Sequence, residues 1–505
     1  MTEKILAFED LVERVESLRA AGRRVVLCHG VFDLIHVGHL RYLQAARRLG
    51  DTLIVTLTPD RWVDKGPYRP AFDEDLRLEA MAALEVVDLV ALNAWPTAEE
   101  TLRRIRPDVY AKGAEFKNPG DDPTGKMELE RGVATEVGCE LAFIDEITFS
   151  SSQLINRHLP IYPDSVARYL DTVRQRHSLD DVLAILDRLA ALRTLVIGDA
   201  ILDEYTYVEA LGKASKDPAL AVRHLDEERF AGGAVAVANH VAAFGGQVEL
   251  IGVVGDDEAG DFLADNLAPG ARARFIRRPG MPTVRKHRVV DSYSSNKLLS
   301  IYRMDVSPPD ASTVATLIET IREAARDVDL VICADYGHQA IPAALIPVIC
   351  DLPCFLAVNT QANAGNHGYH TVTRYQRADF VCLAEHEIRL ETRDSEGELR
   401  PMMNEVADQL ATTLSIVTRG KRGCLTRDAD GVFHEAPALA TRIVDRVGAG
   451  DAFFALAAQA VKVGASAEIV SLLGNTAGAQ GVEIVGNRHA LDASRLRKQL
   501  TAMLR

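Results

Sequence analysis

A short apolar run opening on two β-branched residues, Val25–Cys28, stops at Gly30, and apolar residues return at Leu40, Leu43, Ala46 and Leu49 with helical spacing. A short β-type run, a glycine turn and a helical period dictate strand, turn and helix. Asp51–Thr58 reads as the next strand, and strand–helix–strand packs as a right-handed crossover between parallel strands. The alternation continues through helix Asp73–Leu84, strand Leu89–Leu92, helix Thr97–Ile105, strand Val109–Lys112, helix Lys126–Glu136 and strand Glu140–Ile144. A last helix is expected after Ser150–Ser152. Residues 1–160 are thus expected to form one α/β domain on a parallel sheet.

Pro160, Pro163 and one helical stretch, Ser165–Leu192, make residues 161–192 a helical connector, with Val182, Ile185, Leu186 and Leu189 placed to pack on a neighbour. Residues 193–505 repeat the alternation. Their strands are expected at Thr194–Ile197, Val248–Val254, Leu330–Ile332, Cys354–Val358, Phe380–Leu383 and Ser415–Thr418, with helices at Ala234–Phe244, Ser312–Arg326 and Ala452–Val463. Ala219–His224 and Thr283–Val290 lack crossover helices and are expected to form a small β appendage.

The 505 residues carry 57 basic and 72 acidic side chains, a net charge of −15. That excludes wrapping of nucleic acid, which needs clustered Lys and Arg. No apolar run approaches the ~18 residues that cross a bilayer, so no membrane association is expected. The first residues carry acids where an export signal carries bases. The seven cysteines form no CxxC pair, which fits reduced thiols and a cytoplasmic location.

The turn after the first strand reads Gly30-Val31-Phe32-Asp33-Leu34-Ile35-His36-Val37-Gly38-His39. A helix N-terminus offers free N–H groups and partial positive charge to an anion. Two imidazoles beside it can donate to phosphate oxygens and steady charge on a leaving group; the bland alternative is two ordinary turn histidines. The segment GVFDLIHVGHLRYL resembles the signature of the nucleotidylyltransferase superfamily, in its cytidylyltransferase-like branch. Lys65-Gly66 with Arg69-Pro70, Lys112-Gly113 and Ser150-Ser151-Ser152 follow in that family's order. The resemblance implies a Rossmann-like domain in which a phosphate-bearing substrate attacks the α-phosphate of ATP or CTP and pyrophosphate leaves. It implies that His36 and His39 contact the triphosphate and that Lys65 and Lys112 neutralise the transferring group. It also implies Gly30, Phe32, Gly38, Arg69, Ser150, Ser151 and Ser152 on the nucleotide side. Taken alone, the serines read equally as a helix cap and the lysines as surface residues.

The second constellation is Asp445-Arg446-Val447-Gly448-Ala449-Gly450-Asp451, opening an apolar helix. Small residues let main-chain amides close around an anion, and an aspartate there can take a proton from a hydroxyl. With Gly198-Asp199, Gly232-Gly233 and Gly252-Val253-Val254-Gly255, this resembles the ribokinase-like (PfkB) sugar kinases, whose fold is a three-layer α/β/α domain with a small β-sheet lid. The resemblance implies Asp451 as catalytic base, Gly448, Ala449 and Gly450 as the anion hole, and Asp199, Gly232 and Gly233 on the sugar side. It implies Gly420, in Ile416–Gly423, near the nucleotide, and Glu387 as a metal ligand. The chain departs from the family where Ala384 and Ala236 stand in place of asparagines, where Val358-Asn359-Thr360-Gln361 replaces a Val-Asp-Pro-Lys type segment, and at Asn363–Tyr369.

A sugar kinase joined to a nucleotidylyltransferase implies consecutive steps towards a nucleotide-activated sugar. The pairing resembles the bifunctional kinase/adenylyltransferases of ADP-heptose synthesis with the domain order reversed, which makes heptose 7-phosphate the first candidate substrate. The partners are then small molecules, a sugar phosphate and nucleoside triphosphates, with Mg2+ for both reactions. The resemblance further implies a monovalent cation and a homo-oligomer, a dimer through the lid. The altered asparagines leave open a single-activity transferase with a kinase-like ligand-binding half.

Overall fold

The computed structural model describes residues 4–63, 67–114, 126–144, 162–305 and 307–505. Its contacts divide the chain into two units, Met1–Leu170 with Ser494–Arg505, and Asp171–Ala493.

In the first unit the elements run β1 (Ile5–Leu6), α1 (Phe8–Ala20), β2 (Val25–Gly30), α2 (Val37–Arg47), β3 (Thr52–Leu57), α3 (Glu74–Ala82), β4 (Leu89–Leu92), α4 (Glu99–Ile105), β5 (Val109–Gly113), α5 (Lys126–Glu136) and β6 (Glu140–Ile144). The six strands stand in the order β1-β4-β3-β2-β5-β6, with every pairing parallel. Helices cover both faces, which is why β2 is apolar without alternation. Val26 and Cys28 enter one core with Leu43 and Ala46 of α2, while Val25 and Leu27 enter the opposite core with Leu11 and Val15 of α1. The chain leaves β2 towards β3 and later returns to its other side as β5. The crevice beyond the carboxyl ends of β2 and β5 is therefore where the topology opens a site.

Arg77 of α3, 1% exposed, braces that rim. Its guanidinium donates to the carbonyls of Val31, Thr58 and Phe72 at 2.6, 2.9 and 3.1 Å and to Asp60 Oδ1 at 2.6 Å. The loops after β2 and β3 are thus tied to one side chain.

The single connector helix expected over Ser165–Leu192 is two helices, α6 (Asp164–Arg176) and α7 (Leu179–Leu189). Ser178 interrupts the run: its Oγ accepts the Asp181 N–H at 3.1 Å, and Asp181 Oδ2 accepts the Ser178 N–H at 2.9 Å. This reciprocal cap satisfies two amide donors and starts a new helix. Val182, Ile185, Leu186 and Leu189 are buried, as their spacing requires.

The second unit continues with β7 (Arg193–Gly198), β8 (Ala200–Lys213), β9 (Leu220–Gly233), α8 (Ala234–Ala242), β10 (Gln247–Gly255), α9 (Glu258–Asp265), β11 (Ala271–Arg278), β12 (Val284–Asp291), β13 (Lys297–Arg303), α10 (Ala311–Ala324) and β14 (Leu330–Asp335). Then follow α11 (Ile346–Cys350), β15 (Phe355–Thr360), β16 (Phe380–Ala384), α12 (Glu385–Thr392), α13 (Leu399–Leu410), β17 (Leu414–Thr418), β18 (Cys424–Arg427), β19 (Phe433–Ala436), α14 (Ala449–Lys462) and α15 (Ala467–Gly481). The last helix, α16 (Ala493–Leu504), lies almost wholly in the first unit. The main sheet has nine strands, β11-β10-β7-β14-β15-β16-β17-β18-β19, antiparallel only at β17-β18-β19. The segments expected as a β appendage form, with β8 and β13, a separate four-stranded sheet, β13-β12-β8-β9. The seven cysteines are all free.

Arg77→Met is expected to lower the unfolding free energy by about 3 kcal/mol, since three carbonyls and Asp60 lose one shared donor. A urea midpoint within error of the unsubstituted protein would show that the loops hold without it.

Candidate active sites

In the first unit, His36 is the N-cap of α2, and its Nδ1 accepts the Gly38 N–H at 3.1 Å. That bond leaves Nε2 to carry the proton of a neutral ring, and burial holds the His36 pKa below the ordinary imidazole value. The His39 ring stacks on His36 with centroids 4.1 Å apart and meets the Phe32 ring edge-on at 5.3 Å. Phe32 has φ +48°, a backbone state that bulky residues rarely adopt, and a Cβ on Gly30 would come within 3.1 Å of its ring. The turn therefore holds both imidazoles at the amino end of α2, where the helix dipole favours an anion.

Lys112 comes from β5, on the other side of the crevice. Its ammonium meets Glu130 Oε2 at 2.8 Å and lies 5.0 Å from the Tyr110 ring centroid. Tyr110 donates to the same carboxylate oxygen at 2.9 Å. Burial works to raise the Glu130 pKa, and the charge of Lys112 with these hydrogen bonds more than offsets it. Arg69, expected beside nucleotide phosphates, meets Asp33 at 3.0 Å, with both side chains fully covered. Asp33 also accepts the N–H groups of Ala71 and Phe72, so this pair shapes the loop. Lys65, Ser150, Ser151 and Ser152 lie outside the described residues.

In the second unit, Asp451 stands in the first turn of α14. Gly448 caps that helix at φ +84°, and a Cβ there would strike Asn487 Oδ1 at 2.1 Å. Only glycine fits both the conformation and the approach. A Cβ on Gly450 would meet nothing within 4 Å, so the start of the helix is open beside Ala449 and Gly450. Asp451 Oδ1 accepts the Tyr336 hydroxyl at 2.7 Å. Burial, with the nearby Asp203 charge, pushes its pKa up to about 6 against the lowering effects of Tyr336 and Lys286.

Asp199 follows β7 and is buried. Its Oδ2 accepts the N–H groups of Tyr336 and His338 at 2.9 and 3.1 Å, and its Oδ1 accepts that of Ala340 at 2.9 Å. The carboxylate expected on the sugar side thus holds the turn after β14, and through Tyr336 it positions Asp451. Gly233 has φ +60° and lies against the Asp199 carbonyl, while a Cβ on Gly232 would overlap Asp203 Oδ2 at 2.2 Å. Gly420, at φ +56°, lies in the turn between β17 and β18 with open space around it. Glu387, at the start of α12, accepts the N–H groups of Ala362 and Ala384 on its two oxygens. Burial, with repulsion from Asp451, pushes its pKa up to about 7.

Several residues at this site were missed in the sequence. Asp203 is buried four positions beyond Asp199 and ion-pairs Arg288. Tyr336, Lys286 and His338 are buried around the same carboxylates. Asp203 carried a weak signal, an acid that ends the apolar run Ala200–Leu202 and is followed by Glu204. Lys286 carried none, because one lysine in a lid strand looks like any surface lysine.

A family model described as pfkB family carbohydrate kinase matches residues 192–493, and one described as cytidylyltransferase-like matches residues 27–157. The bifunctional protein HldE of Methylobacillus flagellatus is 39% identical over 159 residues, 31% of this chain and 31% of its own. That of Trichlorobacter lovleyi is 46% identical over 119 residues, 23% of this chain and 24% of its own. These matches fall in the N-terminal part, and the chain spans under a third of these curated relatives. Phosphofructokinase-2 from Escherichia coli, in complex with substrates and products, superposes with TM-score 0.51 at 16% identity, over 62% of this chain and 100% of that one. In complex with fructose-6-phosphate it gives 0.50 at 16%, over 62% and 99%. At this identity the likeness concerns the fold.

Asp451 holds its proton to about pH 6 in the folded chain, against about 3.9 for an ordinary aspartate. Between those values the folded state binds more protons than the unfolded one, so this group's contribution to stability falls as pH rises. Asp451→Asn removes that loss. The expected result is a gain of about 1–2 kcal/mol at pH 8 and none at pH 4; equal gains at both would exclude a charge effect.

Proposed function

The chain belongs to the pfkB family of carbohydrate kinases, and on that premise we propose that it makes a nucleotide-activated sugar in two steps, one in each unit. In the second unit a hydroxyl of a sugar or sugar phosphate attacks the γ-phosphorus of ATP. The new O–P bond forms, the bond to ADP breaks, and the hydroxyl proton passes to Asp451. Amides of Ala449 and Gly450 at the open start of α14 face the phosphoryl oxygens. Asp199 acts through the Tyr336 turn, holding the base in place. In the first unit a phosphate oxygen of the sugar phosphate attacks the α-phosphorus of ATP or CTP, and pyrophosphate leaves. The stacked His36 and His39 donate to the triphosphate oxygens there, and Lys112, steadied by Glu130, offsets their charge. Heptose 7-phosphate, phosphorylated at its anomeric hydroxyl, is the first candidate substrate. The exposed Leu220, Val222, Leu299 and Ile301 of the four-stranded sheet support a dimer through that sheet.

The observation that carries this reading is the placement of Asp451, a partly covered carboxylate with a raised pKa, at the unobstructed N-terminus of α14. A general base works best when its pKa lies just below the working pH.

Among the described residues no three His, Cys, Asp or Glu side chains stand together as a metal cage. That suits Mg2+, which is usually held by substrate phosphates and water with one or two carboxylates. Glu387 fits as that carboxylate: it is buried, its pKa is raised, and no lysine or arginine pairs with it among the described residues. When bound, the ion supplies charge neutralisation on the triphosphate.

The test is incubation with ATP, CTP, Mg2+ and a panel of sugars and sugar phosphates, measuring ADP and pyrophosphate separately. Asp451→Asn is expected to cut ADP formation about a thousandfold while pyrophosphate release from a supplied sugar 1-phosphate continues. His36→Ala with His39→Ala should do the reverse. The kcat/KM for ADP formation should rise with pH and level off above about 6, as Asp451 ionises. Unchanged ADP formation in Asp451→Asn would remove the base; absence of both products across the panel would remove the whole reading.

A further inference from the structure

His338 is 5% exposed, and neither of its ring nitrogens has a hydrogen-bond partner among the described residues. Its backbone is held rigidly, since its N–H donates to Asp199 Oδ2 at 3.1 Å. It stands two residues beyond Tyr336, whose hydroxyl reaches the Asp451 carboxylate. The ring is thus carried by the turn that positions the base.

Lys286 reaches the same place from the lid. On β12 it is in register with Asp203 of β8 on one side and Tyr302 of β13 on the other. It is 6% exposed, and its ammonium lies 5.6 Å from the Tyr302 ring centroid. No hydrogen bond or ion pair reaches that ammonium among the described residues. The charges of Asp203, Asp199 and Asp451 all bear on it, and its own charge bears on His338. Buried polar groups nearly always have partners. Two unpartnered ones, coupled to each other and through Lys286 to Asp451, therefore mark a place where a bound molecule supplies their partners.

The chemistry selects the molecule. Burial, with the charge of Lys286, pushes the His338 pKa down to about 3, so the ring is neutral at physiological pH. A neutral imidazole offers one donor and one acceptor. A phosphate dianion only accepts, and it would leave the accepting nitrogen unpaired. A hydroxyl both donates and accepts and satisfies the ring. Asp199, Asp203, Asp335 and Asp451 stand around the site against Lys286, Arg288 and Arg374, with Arg288 paired to Asp203 and Arg374 to Asp335. This balance also disfavours a further anion.

We propose that His338 and Lys286 read the hydroxyl pattern of the sugar, the imidazole exchanging hydrogen bonds with one ring hydroxyl and the ammonium donating to a second sugar oxygen. The pair is a specificity element of the kinase half, and it rests on the sugar-kinase reading above. The phosphate of a sugar phosphate lies elsewhere in the site.

Binding separates this proposal from that reading, because it needs no turnover. Calorimetric titration with heptose 7-phosphate, its epimers and its monodeoxy derivatives is run on the unsubstituted chain and on His338→Ala, His338→Gln and Asp451→Asn. His338→Ala is expected to weaken sugar binding at least tenfold with ATP affinity unchanged. His338→Gln keeps a donor and an acceptor and should recover part of the loss. One monodeoxy derivative should bind the unsubstituted chain weakly and His338→Ala no worse, locating the hydroxyl. Asp451→Asn should still bind sugar while ADP formation fails. If the unsubstituted chain binds but makes no ADP, the kinase reading falls and the binding assignment stands. Equal affinities in all His338 variants, or no sugar bound by a folded unsubstituted chain, would overturn the proposal, with ordered water alone then filling the ring's vacancies.

Discussion

The Asp199 carboxylate is the joint on which the second site depends. It sits where β7 ends and accepts three N–H groups from the turn after β14. Three amide donors in one buried place need an acceptor, because leaving them unpaired would cost more than burying one carboxylate that binds them all. Burial, together with repulsion from Asp335, still pushes the Asp199 pKa up to about 6. The result is a fixed turn from which the Tyr336 hydroxyl reaches Asp451, with the buried His338 two residues further along it. Two strands far apart in sequence thereby set the position of a carboxylate on a third element.

The first unit solves a similar problem with opposite charge. Arg77 gathers carbonyls from the loops after β2 and β3, and Asp33 with Arg69 closes the loop beyond. The first unit presents the amino end of α2 directly after the parallel strand β2, whereas in the second unit α14, which starts beside Asp451, follows the antiparallel edge strand β19. One helix start carries two stacked imidazoles and the other a carboxylate with open amides. Histidines suit stabilisation of an existing triphosphate, whereas an aspartate suits removal of a proton.

The chain's β runs and helical periods announced most of the architecture. Val25–Cys28, Leu330–Ile332 and Phe380–Leu383 are continuous apolar runs because both faces of each sheet are covered, and such runs are visible without coordinates. The break at Ser178 was missed although residues 174–178 carry no apolar side chain, and the reciprocal bonds with Asp181 show that the helix restarts there. The Asp33 partner of Arg69 was not legible, because an arginine suits a phosphate as well as it suits a buried aspartate. Only packing reveals which partner it has.

Local order in the chain determined the two helix starts: glycine at Gly448, required by a left-handed backbone, and His36 as a cap that bonds its own turn. Such features involve residues close in sequence, so their identities suffice. The tertiary structure alone decided that Asp199 serves a turn, that Glu130 holds Lys112, and that Lys286 and His338 are buried without hydrogen-bond partners for their side chains among the described residues. These relations join residues tens to hundreds of positions apart, and which charge meets which is set by strand order and burial.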